Sequence, residues 1–181
     1  MKKSVLTFTL LSLTMALVAC TSKSKPAESA AATATTEQTE STEESGEMAP
    51  DFELPNLQGA TTKLSGLRGK YVVIDFWGSW CVWCIRGIPQ MKTYYTKYKD
   101  KMEILGVACH DTEDKWRAAV EENQMPWLQV FCDDSNLNKL GAAYGVQGFP
   151  TKVVVDPQGK IIKTVVGEDP EFYRYLDELF K

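Results

Sequence analysis

Residues 77–89 read WGSWCVWCIRGIP and place Cys81 and Cys84 two residues apart. Such a pair is a redox couple, half of a metal site or an incidental structural pair. A zinc ribbon needs a second pair of ligands at similar spacing, and Cys109 and Cys132 each stand alone. A copper site would have to be built from Cys81, Cys84 and His110, the only histidine in the chain. A redox couple requires a cysteine that ionises near neutral pH and a second thiol within its reach. The run YVVIDFW at 71–77 is apolar and β-branched, as expected of a strand covered on both faces. A cysteine that opens a helix directly after such a strand faces unpaired backbone N–H groups and the positive end of the helix dipole, which favour its thiolate. Cys81 takes that place, and Cys84, three residues on, shares its turn.

The rest of the chain narrows the classes. With 181 residues, 44% of them hydrophobic, it supports one ordinary core. A net charge of −4 with lysines scattered through the folded part gives no basic footprint for nucleic acid. Neither a G-x-S-x-G elbow nor a G-x-x-x-x-G-K-[ST] phosphate loop occurs. The candidate chemistry is that of sulfur, with no separate cofactor and no resident metal expected.

The N-terminus reads as an export signal. Met1-Lys2-Lys3 is a basic start, Ser4–Ala19 an apolar run short for a bilayer span, and Leu17-Val18-Ala19-Cys20 looks like a bacterial lipoprotein box. Residues 1–19 are then the signal peptide, Cys20 the lipidated first residue of the mature chain, and the setting extracytoplasmic, where thiols and disulfides exchange. Residues 20–48, rich in Ala, Thr, Ser and Glu, have too little apolar surface to offset their ordering entropy. They read as a disordered tether reaching about 30 Å from a membrane.

Residues 49–181 form the folded domain, an α/β pattern with short β-rich runs alternating with amphipathic stretches. Residues 52–54 and 61–64 suggest an N-terminal β-hairpin. A helix runs from the cysteines to about Lys99, followed by a strand at 102–109, a helix at 112–123 and a strand at 127–132. A short helix at 136–144 precedes a second hairpin, 151–156 with 160–166, turned at Pro157-Gln158-Gly159. Asp169 caps a final helix with Pro170 in its first turn.

VVIDFWGSWCVWC resembles the active-site strand and helix of the thioredoxin superfamily. Pro89 matches the proline that kinks that helix, and Gly148-Phe149-Pro150-Thr151 matches the loop that carries a cis proline opposite the cysteines. The Ala49-Pro50-Asp51-Phe52 opening, the inserted helix–strand element around Trp116 and the export signal are similar to the extracytoplasmic TlpA/ResA-like branch. The resemblance implies a thioredoxin-like fold, with a central mixed sheet flanked by helices. It also implies a membrane-anchored thiol–disulfide oxidoreductase acting on disulfide-bearing proteins, mainly as a reductase, recharged by a membrane thiol reductant.

Within that resemblance Cys81 is the attacking thiolate and Cys84 the resolving thiol. Asp75, a carboxylate in an apolar strand, matches the buried acid that exchanges a proton with the resolving cysteine; a wetter strand end is the plainer account of it. Phe149 and Pro150 line the substrate, with Trp80 and Trp83 as contacts. Trp83 stands where the family commonly has proline, so it adds a backbone donor at the helix start and is expected to make the couple more oxidising. Cys109 and Cys132, at the ends of neighbouring strands, are a candidate second disulfide or two separate core thiols. A peroxiredoxin-like peroxidase would use a T-x-x-C environment, and the third residue before Cys81 is Gly78. A copper-binding module of the same fold is the non-enzymatic alternative.

Overall fold

The computed structural model describes residues 46–181, so the expected signal peptide, Cys20 and most of the tether lie outside the described residues. Strands β1 (Glu53–Pro55) and β2 (Thr61–Lys63) pair antiparallel and lead into a short 3-10 helix at Leu64–Leu67. There follow β3 (Tyr71–Trp77), α1 (Val82–Tyr98), β4 (Met102–Cys109), α2 (Glu113–Glu122), β5 (Leu128–Cys132) and α3 (Asp134–Ala143). The chain closes with β6 (Thr151–Val155), β7 (Ile161–Val166) and α4 (Pro170–Leu179). The five-stranded sheet has the order β5-β4-β3-β6-β7, parallel from β5 to β3 and antiparallel from β3 to β7. This is the expected mixed sheet.

Side chains alternate along each strand, so the central strands feed two cores. Val73 and Trp77 of β3 pack with Cys84, Ile88 and Met91 of α1, Trp116 of α2 and Phe172 and Leu176 of α4. Val72, Ile74 and Phe76 turn the other way, onto Leu137 and Leu140 of α3 and Leu54 and Leu64 of the N-terminal segment. Trp77, Phe76, Ile74 and Trp116 are almost wholly buried, each contributing roughly 1.5–3 kcal/mol through the area it removes from water.

Two boundaries differ from the sequence reading by more than one residue. The expected tether runs to Met48, yet Ile161 N donates to Glu47 O at 2.9 Å and Met48 bridges antiparallel to Lys160. The edge of β7 offers unpaired backbone groups, and residues 47–48 satisfy some of them. Helix α3 begins at Asp134 rather than Asn136, because Asp133 caps it by accepting from Asn136 N at 2.8 Å.

A polar row crosses the middle of the sheet. Gln129 of β5 is in register with Gly106 of β4, Gly106 with Asp75 of β3, and Asp75 with Lys152 of β6. Gln129 Oε1 accepts from Trp77 Nε1 at 3.1 Å and fills the space beside Gly106, where a Cβ would lie 2.4 Å from it. Gly106→Ala is therefore expected to cost about 1–3 kcal/mol, since the buried amide has to leave the Trp77 indole or the strands have to part. Urea unfolding of the two forms measures it.

Candidate active site

Cys81 is the N-cap of α1, and Cys84 lies in the first turn. Their sulfurs form a disulfide with the Cα atoms 5.2 Å apart. Cys84 N–H donates to Cys81 Sγ at 3.1 Å, so the backbone donor that faces the first sulfur is that of Cys84 rather than the expected Trp83. The start of the helix is anchored from behind: Cys81 N donates to Gly78 O at 3.0 Å, while Ser79 N and Oγ donate to the Asp111 carboxylate at 2.7 and 2.9 Å. An anion formed on Cys81 sits at the positive end of a 17-residue helix. Both cysteines are buried to about 5% exposure, whereas Val82 and Trp83 between them are about 60% exposed. The rim is thus apolar and the sulfurs lie just beneath it.

The Phe149–Pro150 peptide is cis, as expected from the motif. Trp80 joins this loop to the cysteine turn: its ring stands edge-on to Phe149 at 5.3 Å and its Nε1 donates to Cys109 O at 3.0 Å. Trp80 also fills the space at Gly78, where a Cβ would meet its Nε1 at 2.4 Å, so the threonine that a peroxidase pocket needs three residues before the cysteine has no room. Trp83 is turned outward and carries the Arg86 guanidinium over its ring at 5.1 Å.

Asp75 faces the same layer as Val73 and Trp77, the layer that contains both cysteines. It is 6% exposed, so the wetter strand end is not what the structure has. Burial pushes its carboxyl above the usual range, Lys152 pulls it down and Glu168 pushes it further up. Its Oδ1 lies 3.9 Å from Lys152 Nζ and has no hydrogen-bond partner among the described residues. Lys152, Glu168 and Tyr173 were not singled out by sequence reasoning. Lys152 did leave a signal, a lone cation inside the apolar run TKVVV, as Asp75 is a lone anion inside YVVIDFW.

The candidate second disulfide is absent. Cys109 and Cys132 are register partners on parallel strands and both are buried, but the thiols are free. Cys109 Sγ lies 3.3 Å from Val107 O and Cys132 Sγ 3.7 Å from Asp133 O, and the two thiols also neighbour each other as a hydrogen-bonded pair. The neighbouring Cys132 and burial together push the Cys109 thiol far up, which keeps it protonated and inert. His110 Nδ1 pairs with Asp134 Oδ1 at 2.9 Å instead of joining the cysteines. No group of three or more His, Cys, Asp or Glu among the described residues is arranged to hold a metal ion.

A pair of cysteines at a helix start, just beneath an exposed rim, can pass two electrons as thiols and a disulfide. The AhpC/TSA family model matches residues 45–164. The thiol–disulfide oxidoreductase ResA of Bacillus anthracis is 33% identical over 124 residues, spanning 68% of this chain and 70% of the relative. Among solved structures, the thioredoxin domain of a thiol–disulfide oxidoreductase from Bacteroides vulgatus superposes with a TM-score of 0.70 at 31% identity, covering 75% of this chain and 97% of that one. A thiol:disulfide interchange protein from Bacteroides sp. gives 0.68 at 31%, over 74% and 88%. The chain belongs to the AhpC/TSA family, as a thioredoxin-fold thiol–disulfide oxidoreductase of the ResA/TlpA type.

Proposed function

We propose that this protein is an extracytoplasmic reductase of protein disulfides, held at a bacterial membrane through lipidated Cys20 and working through Cys81 and Cys84 without a separate cofactor. The observation that carries the reading is Cys81 at the N-cap of α1, bonded to Cys84, with Phe149 against the adjacent Trp80. In the reducing direction the Cys81 thiolate attacks a substrate disulfide and one substrate thiolate leaves. Cys84 gives its proton to Asp75 and attacks Cys81 Sγ, which releases the second substrate thiolate and leaves the Cys81–Cys84 disulfide. A membrane thiol reductant then restores the dithiol.

The substrate is an extended protein segment laid along Phe149–Pro150, with Trp80 and Trp83 as apolar contacts. Because Trp83 is exposed and carries Arg86 over its ring, Trp83→Ala is expected to raise KM for a protein disulfide about tenfold, with the reduction potential unchanged. Steady-state kinetics with a protein and a small disulfide side by side separate the two effects, since the small one bypasses the indole.

Direction is tested by equilibrating the protein with thiol–disulfide buffers of defined potential, with alkylation and mass mapping of every cysteine. A reversible couple at about −200 mV or lower supports a reductase, whereas one near −120 mV reverses the direction. Absence of any reversible couple at Cys81 and Cys84 sinks the reading. The anchor is tested separately, by mass analysis of the mature N-terminus for a lipid on Cys20.

A further inference from the structure

Beneath the cysteine helix two carboxylates share one ammonium. Lys152 Nζ is 2.8 Å from Glu168 Oε2 and 3.9 Å from Asp75 Oδ1, and the Tyr173 hydroxyl donates to Glu168 Oε1. Lys152 is only 2% exposed, so its charge is held by these neighbours and hardly by water. Glu168 belongs to the loop between β7 and α4, and it reaches this layer because position 87 of α1 has no side chain. A Cβ on Gly87 would lie 2.4 Å from Glu168 Oε2 and 2.6 Å from its Cδ. Gly87 is three residues past Cys84 and on the same helix face, so the Glu168 carboxylate stands one turn below the resolving thiol.

We propose that Glu168 is a positioning residue for the exchange reaction: by holding Lys152 it prevents that ammonium from neutralising Asp75, and so leaves Asp75 able to take the proton of Cys84. The proposal rests on the oxidoreductase reading and deepens it. The shorter ion pair is the one to Glu168, so Lys152 is largely compensated before Asp75 is counted. Without Glu168 the same ammonium, still buried, has only Asp75 to pair with, and a carboxylate so paired is a weak base. With Glu168 present, Asp75 holds a proton more tightly and Cys84 loses one more readily to it. The groups that act on Asp75 are Lys152 from β6, Glu168 from the β7–α4 loop, Tyr173 from α4 and Cys109 from β4, with the neutral Gln129 of β5 completing the row. Tyr94 of α1 lies behind Tyr173, ring to ring at 4.9 Å.

The test uses the reduced full chain and a chromogenic aryl disulfide. Cys81 attack releases one aryl thiolate and leaves the other bonded to Cys81; Cys84 attack then forms the Cys81–Cys84 bond and releases the second. The rate of that second release, followed against pH by stopped flow, reports proton loss from Cys84 to Asp75. Glu168→Gln is expected to move the rising limb toward lower pH and to lower the plateau about tenfold, as a base weakened by about one pH unit requires. Lys152→Met is expected to move the limb the other way. A Glu168→Gln profile that coincides with the wild type, or limbs that move in the same direction in both variants, overturns the proposal.

If Lys152→Met does not fold, a double-substitution cycle decides instead. In an Asp75→Asn background Glu168→Gln is expected to change the release rate less than about twofold, and a full tenfold effect there overturns the proposal. Failure of the wild type to release a second thiolate at any pH overturns the oxidoreductase reading together with the proposal. A normal wild-type limb that is indifferent to Glu168 overturns the proposal alone.

Discussion

Replacing Cys84 with serine is expected to lower turnover of a protein disulfide by at least about 10³-fold while leaving the first attack intact. Cys81 keeps its place at the N-cap, where the helix end and the residue 84 backbone N–H favour its thiolate. The variant therefore still opens a substrate disulfide, but a hydroxyl cannot complete the exchange, and a covalent adduct through Cys81 accumulates. Cys81→Ser gives the opposite signature: the same loss of turnover with no adduct, since Cys84 lies inside the first turn of α1 and lacks the N-cap place and the backbone N–H that favour a thiolate on Cys81. Mass analysis after a single mixing with substrate distinguishes them. Adducts on Cys84 in the Cys81→Ser protein, at the rate seen for Cys81 in the wild type, would reverse the assignment of attacking and resolving thiols.

The sequence exposed this much of the site because its parts are local. A strand ending at Trp77, a cysteine at the next helix start and a second cysteine three residues later are fixed by short-range rules of strand patterning and helix ends. The Phe149–Pro150 dipeptide was legible for the same reason. What the sequence did not expose depends on strand register. Asp75 and Lys152 meet only because β3 and β6 pair antiparallel at that step, and Glu168 joins them only because Gly87 leaves a gap in α1. Each of these residues taken alone reads as an interruption in an apolar run or an ordinary loop acid. Cys109 and Cys132 show the converse: their adjacency followed from the expected strand order, but strand order alone does not say whether neighbouring thiols bond, and here both are free. The docking of residues 47–48 on β7 was hidden by a composition that reads as tether until it meets an open strand edge.

Asp75→Asn combines a functional loss with a gain in stability. Under the proposed mechanism the substitution removes the proton acceptor of Cys84, and the release step is expected to slow by about 10²-fold, the usual contribution of a positioned general base. Stability moves the other way. Burial holds the folded-state Asp75 carboxyl above the ordinary value of 3.8. Below that value both folded and unfolded chains are protonated at this group, and it costs nothing. As pH rises, the unfolded chain gives up the proton first, so the folded state loses stability until its own carboxyl ionises, and the full loss persists above that point. Asparagine never ionises, so its advantage is absent in acid, grows with pH and levels off, at about 2 kcal/mol for one poorly paired buried carboxylate. Lys152 is not orphaned by the change, because Glu168 stays 2.8 Å away. Urea unfolding of both proteins across pH measures the difference. An Asp75→Asn protein less stable than the wild type at neutral pH would mean that Asp75, not Glu168, is the main partner of Lys152, and the division of charge beneath the cysteines would have to be redrawn.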